Sequence, residues 1–252
     1  MEQKITLSSE IARSYDDKNT PSEFTTVFDR PLVLDKNKTY VIGLDSINTM
    51  TYSWYNISND FKNKLIKYNN GNEWKDITFD DGNYSYTDIN NYIREILILN
   101  NDFDGQSSIA PISLEFDLTS FKVLISLQDN FQLDLTTSDF HTLIGFDKKK
   151  VTETEFGTKT PNITNSIDSL YIHCDLISHS LVDGTHGDVI YVFSTANLTR
   201  SYPFREEPRR VGFSEVNRNI INAVKIYITD TYGRIINLNG IDTSFSLILK
   251  EI

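Results

Sequence analysis

Apolar residues in this chain recur at every second position far more often than at every third or fourth. In Val224-Lys225-Ile226-Tyr227-Ile228-Thr229 they take alternate places, and Phe245-Ser246-Leu247-Ile248-Leu249-Lys250 repeats the pattern at its apolar positions. A period of two buries one face of an extended strand. Between these windows, Asp230-Thr231-Tyr232-Gly233 has turn composition. Asn239-Gly240 is the pair best suited to a tight hairpin, because both residues accept positive φ. The spacing predicts a three-stranded meander over 222–251. Further strands are expected at Phe24–Phe28, Thr39–Ile47, Ile112–Phe116, Phe121–Leu127, Phe131–Leu135, Ser169–Ile177 and Asp188–Ser194. They are short, rich in Val, Ile, Phe, Tyr and Thr, and separated by Asn, Asp, Gly and Ser. That is the pattern of an all-β sandwich or barrel.

One stretch has helical spacing. Thr87-Asp88 offer a cap and a negative first turn, and Ile89, Ile93, Ile96 and Leu97 then follow at i, i+4, i+7 and i+8. A shorter turn of helix is expected over Ser138–Leu143. Polar breaks at Ser58-Asn59-Asp60 and Asp147–Thr164 bracket this mixed block. The expected organisation is a sandwich made of 1–58 and 165–252, an inserted α+β subdomain at 60–148, and a linker loop at 149–164.

Composition narrows the function. The chain has 252 residues, 24 Lys and Arg against 35 Asp and Glu, and a formal charge of −11. Such a surface repels phosphates, so direct nucleic-acid binding is not expected. Hydrophobic residues at 39% suffice for a core without metal or disulfide staples. The single cysteine, Cys174, excludes an internal disulfide. It alternates with Leu170, Ile172 and Leu176, which predicts a buried, inert thiol. No apolar run is long enough to span a membrane, and the N-terminus has no secretory pattern. The protein is therefore expected to be made in the cytoplasm and not secreted. The N-x-S/T triplets at Asn37, Asn56, Asn83, Asn162 and Asn197 then read as chance in an Asn-rich chain.

No catalytic constellation stands out, and no enzyme, cofactor or metal is expected. The histidines are His141, His173, His179 and His186, the last three near Cys174, Asp175, Asp183 and Asp188. Their spacing fits loop histidines better than ligands converging from neighbouring strands. Acidic residues gather between Glu73 and Asp104, where Asn100–Gly105 superficially resembles a calcium loop but lacks its closing Glu. The stretch reads as a solvated acidic face. Arg200, Arg205, Arg209, Arg210 and Arg218 form the only basic group, interrupted by Glu206-Glu207-Pro208 and flanked by Tyr202, Phe204 and Phe213. Arginines among aromatics are the usual anchors of protein contacts. Arg205, Arg209, Arg210, Phe204 and Phe213 are thus the candidate interface residues, with the acidic stretch as their complement on a second copy.

Several segments resemble one family. Phe28-Asp29-Arg30-Pro31-Leu32-Val33-Leu34, then Tyr40-Val41-Ile42-Gly43-Leu44, then Trp54-Tyr55-Asn56-Ile57 are similar to the N-terminal pattern of penton-type minor capsid proteins. These occur in Polinton/Maverick elements, adintoviruses and virophages. Gly82-Asn83-Tyr84, Leu143-Ile144-Gly145-Phe146 and the segment from Ile226 to Gly240 continue the resemblance in order. It implies a single jelly-roll sandwich with an inserted domain, a structural virion protein without enzymatic activity, and a homo-pentamer at the capsid vertex beside a double jelly-roll major capsid protein. At 252 residues the chain is compact for that family, which argues against an additional receptor-binding domain. The alternative is a jelly-roll binding module for host attachment or carbohydrate, with Trp54, Tyr55, Trp74, Tyr84 and Tyr86 as stacking surfaces. A cupin-like metal enzyme using His173, His179 and His186 is a third possibility.

Overall fold

The computed structural model describes residues 2–50, 54–164, 167–178, 180–182, 185–195 and 203–252. It is mostly β, with several antiparallel sheets and few helices. The chain divides into two compact units. One combines Met1–Trp54 with Ile167–Ile252, and the other is Tyr55–Ser166.

The first unit contains two main sheets. One orders the strands Glu2–Ser8, Ser244–Glu251, Tyr40–Met50 and Pro203–Glu206, with Ser214–Glu215 also paired to Tyr40–Met50. The other orders Val189–Ser194, Ser169–Cys174, Ile220–Thr229 and Glu23–Val33. Every neighbouring pair is antiparallel. Alternation decides which side chains turn inward. Leu170, Ile172, Cys174, Ile226 and Ile228 are buried from one sheet, and Leu7, Leu44, Ile47, Phe245 and Leu247 from the other. The two apolar faces meet, with Phe24 5.9 Å from Phe245 and Phe193 stacked 5.4 Å from Phe204. Each large side chain buried in this way contributes about 1.5–3 kcal/mol.

The meander expected over 222–251 does not form. Ile220–Thr229 pairs with Ser169–Cys174 and Glu23–Val33, whereas Ser244–Glu251 pairs with Glu2–Ser8 and Tyr40–Met50. Alternation specifies that one face of a strand is buried; it does not specify the partner. The turn chemistry itself is present. Asn239 and Gly240 have φ of 53° and 77°, and Ile241 N donates to Leu238 O. Here the tight turn lies on a crossing between sheets. The segment between the two strands keeps a single bridge, Thr229 to Ile235.

The second unit is built around the helix Tyr86–Leu99, which buries Ile89, Ile93 and Leu97. Its cap is Ser85, not Thr87. The Ser85 hydroxyl accepts from Asp88 N, and the Asp88 carboxylate accepts from Ser85 N, closing a capping box. Two small sheets pack with it. One orders Trp74–Thr78, Leu65–Asn69, Gln132–Asp134 and Lys150–Val151; the other orders Glu155–Phe156, Lys122–Leu127 and Ile112–Asp117. The stretch expected as a linker, 149–164, thus supplies two edge strands of this unit. Val151 is fully buried, which holds the segment down despite its polar composition.

The boundary expected at Ser58–Asp60 lies a few residues earlier, between Trp54 and Tyr55. Asn56 and Ile57 are buried in the second unit. The Asn56 amide donates to Tyr84 O and Ile163 O and accepts from Tyr84 N, so the triplet asparagine is a packed structural residue. Asn197 lies outside the described residues.

Candidate interaction surfaces

The basic group lies along one edge of the first unit. Pro203–Glu206 pairs with the end of Tyr40–Met50, and Ser214–Glu215 pairs nearer its start. The loop between them runs beside that strand and is pressed onto it at Gly43. A Cβ there would sit 2.5 Å from Val211 Cγ1 and closer still to the Gly212 carbonyl oxygen. Phe204 is half-buried and occupied by its stack on Phe193, so it is a packing residue and not an exposed anchor. Arg205 Nε is bound to Glu207 at 2.5 Å. Glu206 accepts from the Tyr191 hydroxyl at 2.8 Å. Burial, then this carboxylate, pushes that phenol up to about 12. Phe213 is 37% exposed under the Lys250 ammonium, 3.8 Å from its ring centroid. Arg209 and Arg210 are exposed and have no ion pair among the described residues. Arg218 is tied to Asp175 at 2.6 Å and does not join this group. Arg200 and Tyr202 lie outside the described residues.

The opposite edge carries a groove that the sequence did not reveal. The short helix Ser9–Tyr15 is held against Glu23–Val33 by Asn19, which donates to Ala12 O and accepts from Thr25 N. That strand then bulges. Val27 is opposite Ala223 and Leu32 is opposite Ile221, so residues 28–31 face only Asn222. Pro31 within the bulge has no N–H to donate. Between helix and bulge lies a groove of about 680 Å³ lined by Ile11, Tyr15, Val27 and Phe28, with Asp16 and Asp29. Ile11, Tyr15 and Val27 are 57%, 87% and 73% exposed. Lys18 and Arg30 flank the groove without lining it.

The remaining candidates are engaged internally. His173 Nδ1 lies 2.7 Å from Asp188 and Nε2 lies 2.9 Å from Thr229 Oγ1, while the ring stacks on Tyr227 at 4.2 Å. Both ring nitrogens thus have protein partners. The Tyr227 hydroxyl donates to the same Asp188; burial, reinforced by that carboxylate, raises its pKa. His141 sits in the second unit, 3.1 Å from Ser138 O. His179 and Asp183 lie outside the described residues, and the side chain of His186 is likewise undescribed. Among the described residues, no three His, Cys, Asp or Glu side chains converge to hold a metal. Cys174 is fully buried, and burial pushes its thiol up to about 12.

The acidic stretch is largely paired. Asp76 binds Lys67, Asp81 binds Lys64 and Glu73 binds Lys75. Asp88 is used in the helix cap. Asp102 is nearly buried and accepts from the Tyr68 hydroxyl, the Asn70 amide and Lys75. The Asp104 carboxylate accepts from Gln106 N in a local turn. Four of the five aromatic candidates for sugar stacking are also used in packing. Trp54 is buried, Tyr84 packs edge-on to Phe79, Tyr86 stacks on Phe116, and Lys150 covers Trp74. No helix among the described residues is long and apolar enough to cross a membrane.

These features define a mostly antiparallel β protein with candidate contact groups on two edges of one unit, while the other unit also exposes apolar side chains such as Leu99, Leu118 and Phe121. No family model and no curated protein matches the sequence. The fold is similar to the crystal structure of the mavirus penton protein, with a TM-score of 0.53 at 13% identity over 100% of both chains.

Proposed function

We propose that this chain is a penton-type capsid protein: a single jelly roll with an inserted domain, five copies of which ring the vertex of an icosahedral virion beside a double jelly-roll major capsid protein. The observation that carries this reading is the end-to-end likeness in fold to the mavirus penton protein. The strand order supports it independently. Counted along the chain, the eight sandwich strands lie 1-8-3-6 in one sheet and 5-4-7-2 in the other, the arrangement expected of a jelly roll. The second unit interrupts the chain between the third and fourth of these strands, as an inserted domain does. Exposed arginines and an exposed apolar groove on the sandwich suit repeated side-by-side packing better than catalysis.

Sedimentation across a wide concentration range, with electron microscopy of the concentrated sample, tests this reading. The expected result is monomer in dilute solution and fivefold rings at high concentration. A stable dimer or trimer, or monomer throughout, overturns it.

A further inference from the structure

We propose that the groove between the helix Ser9–Tyr15 and the bulged strand Glu23–Val33 receives the Arg209-Arg210 loop of a second copy of this chain. This rests on the pentameric reading above and names the two surfaces that would close the ring.

The first argument is charge. The groove lining holds two carboxylates, Asp16 and Asp29, and no cation. Arg209 and Arg210 are exposed guanidinium groups with no ion pair among the described residues, in a chain whose net charge is −11. Several exposed cations find an acid of their own, as Lys4 does with Asp45 and Lys38 with Glu251, whereas Lys18, Arg30, Lys36 and Lys62, like the two arginines, have no ion pair among the described residues. Two adjacent arginines without one are the natural complement of an acidic-lined groove.

The second argument is chemistry beyond charge. Ile11, Tyr15 and Val27 are each more than half exposed, and apolar patches of this kind mark contact sites. Phe213, 37% exposed, follows the arginines and can supply an apolar part of the contact. Tyr15, a rigid amphipathic ring, is also a suitable stacking face for a guanidinium group.

The third argument is placement. At one side of the sandwich, the edge strand Val189–Ser194 is tied to the edge strand Pro203–Glu206 by the Phe193–Phe204 stack and the Tyr191–Glu206 hydrogen bond. At the other side, the edge strand Glu23–Val33 and the helix Ser9–Tyr15 are tied to Ser244–Glu251 through Phe24–Phe245, Ser9 N to Thr243 O and Thr243 Oγ1 to Pro21 O. The arginine loop and the groove therefore occupy opposite edges of one compact unit. A heterologous ring needs two different surfaces placed in this way, since each copy offers one to each neighbour. The acidic stretch 73–104 is a poorer complement, because its carboxylates are largely paired within their own unit.

The test is a charge swap read by sedimentation. Asp16→Arg with Asp29→Arg, or Arg209→Glu with Arg210→Glu, should each raise the concentration of half-assembly by about tenfold or more, because each replaces attraction by repulsion. All four changes in one chain should restore assembly to within about threefold of the original protein, since complementarity returns with reversed sign. These positions are exposed and Asp16 makes only one local hydrogen bond, accepting from Lys18 N, so thermal melting should shift by no more than about 2–4 °C per kcal/mol lost at that one bond. If the original protein forms pentamers and neither pair of reversals shifts assembly, this interface is wrong and the penton reading stands. Impaired assembly by both pairs without rescue in the combination also rejects the pairing of these two surfaces. If the original protein forms no pentamer at all, both fall.

Discussion

Gly43→Ala is a one-carbon change whose effect should concentrate on the arginine loop. A Cβ at this position meets Val211 Cγ1 at 2.5 Å, Phe213 Cδ1 at 3.2 Å and, closest of all, the Gly212 carbonyl oxygen. A backbone oxygen cannot rotate away as a side chain can. Either the strand Tyr40–Met50 shifts, against its full-length pairing with Ser244–Glu251, or residues 211–213 lift off it. The second course is easier. The segment is held by Val216 N to Tyr40 O at 2.9 Å and by the short pairing of Ser214 with Ile42 and Glu215 with Val41. Losing about three such bonds costs about 1.5–4.5 kcal/mol, at about 0.5–1.5 kcal/mol net each. Overpacking costs about 1–3 kcal/mol on its own scale. Removing a glycine returns about 0.4–1 kcal/mol through the unfolded chain, because the φ here is not positive. The expected net loss is about 0.5–4 kcal/mol, which lowers Tm by about 1–16 °C at about 2–4 °C per kcal/mol. Hydrogen exchange should rise far more at 211–216 than at Ile226 and Leu247, whose smaller rise tracks the loss of global stability alone. Gly212→Ala is the control, because its Cβ meets nothing within 4 Å. Unchanged melting and unchanged exchange at 211–216 in Gly43→Ala would refute the argument.

Cys174 should resist a thiol reagent at neutral pH for as long as the fold persists, because it is fully buried with its thiol held up to about 12; labelling as fast as a free thiol contradicts this. Cys174→Ser should destabilise the protein by about 1–3 kcal/mol, measured by urea titration, where the hydroxyl finds no partner. Burial opposes the charge on Asp102, but hydrogen bonds from Tyr68, Asn70 and Lys75 outweigh it and leave the carboxyl below the ordinary carboxylate range. A depressed folded pKa contributes stability that is present above the unfolded value, near 4, and is lost as pH falls through the folded one. Acid titration should therefore weaken the second unit below about pH 4, and Asp102→Asn should flatten that part of the profile; an unchanged acid limb would count against the network.

The chain declared its fold class and its helix, but not its strand partners. Ile89, Ile93 and Leu97 were legible because helical spacing is a property of one segment alone. Ile226 and Leu247 were equally legible as buried, yet they belong to different sheets, a fact that depends on residues far along the chain. The strand Glu2–Ser8 and helix Ser9–Tyr15 carried too few apolar residues to register. Their stability is tertiary, as in the Ser9 hydroxyl donating to Asp242 and the Arg13 guanidinium binding the same carboxylate. That omission hid the groove, since one wall is this helix and the other is a bulge opposite Asn222. The arginines were visible in sequence because exposure and charge go together. The acidic stretch is less free than its composition suggests, because Lys64, Lys67 and Lys75 pair with Asp81, Asp76 and Glu73.

The edges of the sandwich also bear on how copies could associate. A free edge strand invites main-chain pairing with another molecule, and such pairing tends to propagate. Three of the four outer strands are poorly suited to it. Glu23–Val33 is broken by a bulge that contains Pro31. Pro203–Glu206 is short and begins with a proline. Glu2–Ser8 exposes Glu2, Gln3 and Lys4, the last engaged by Asp45. Contact between copies is thereby left to side chains, whose geometry can close a ring where a continuous ladder cannot. Ionic contacts at exposed sites contribute only about 0–1 kcal/mol each and weaken with salt. A ring held by Asp16, Asp29, Arg209 and Arg210 over a modest apolar groove would therefore be weak in dilute solution and form only at high protein concentration. On the proposed reading, the protein would stay dispersed while dilute and assemble where it is concentrated.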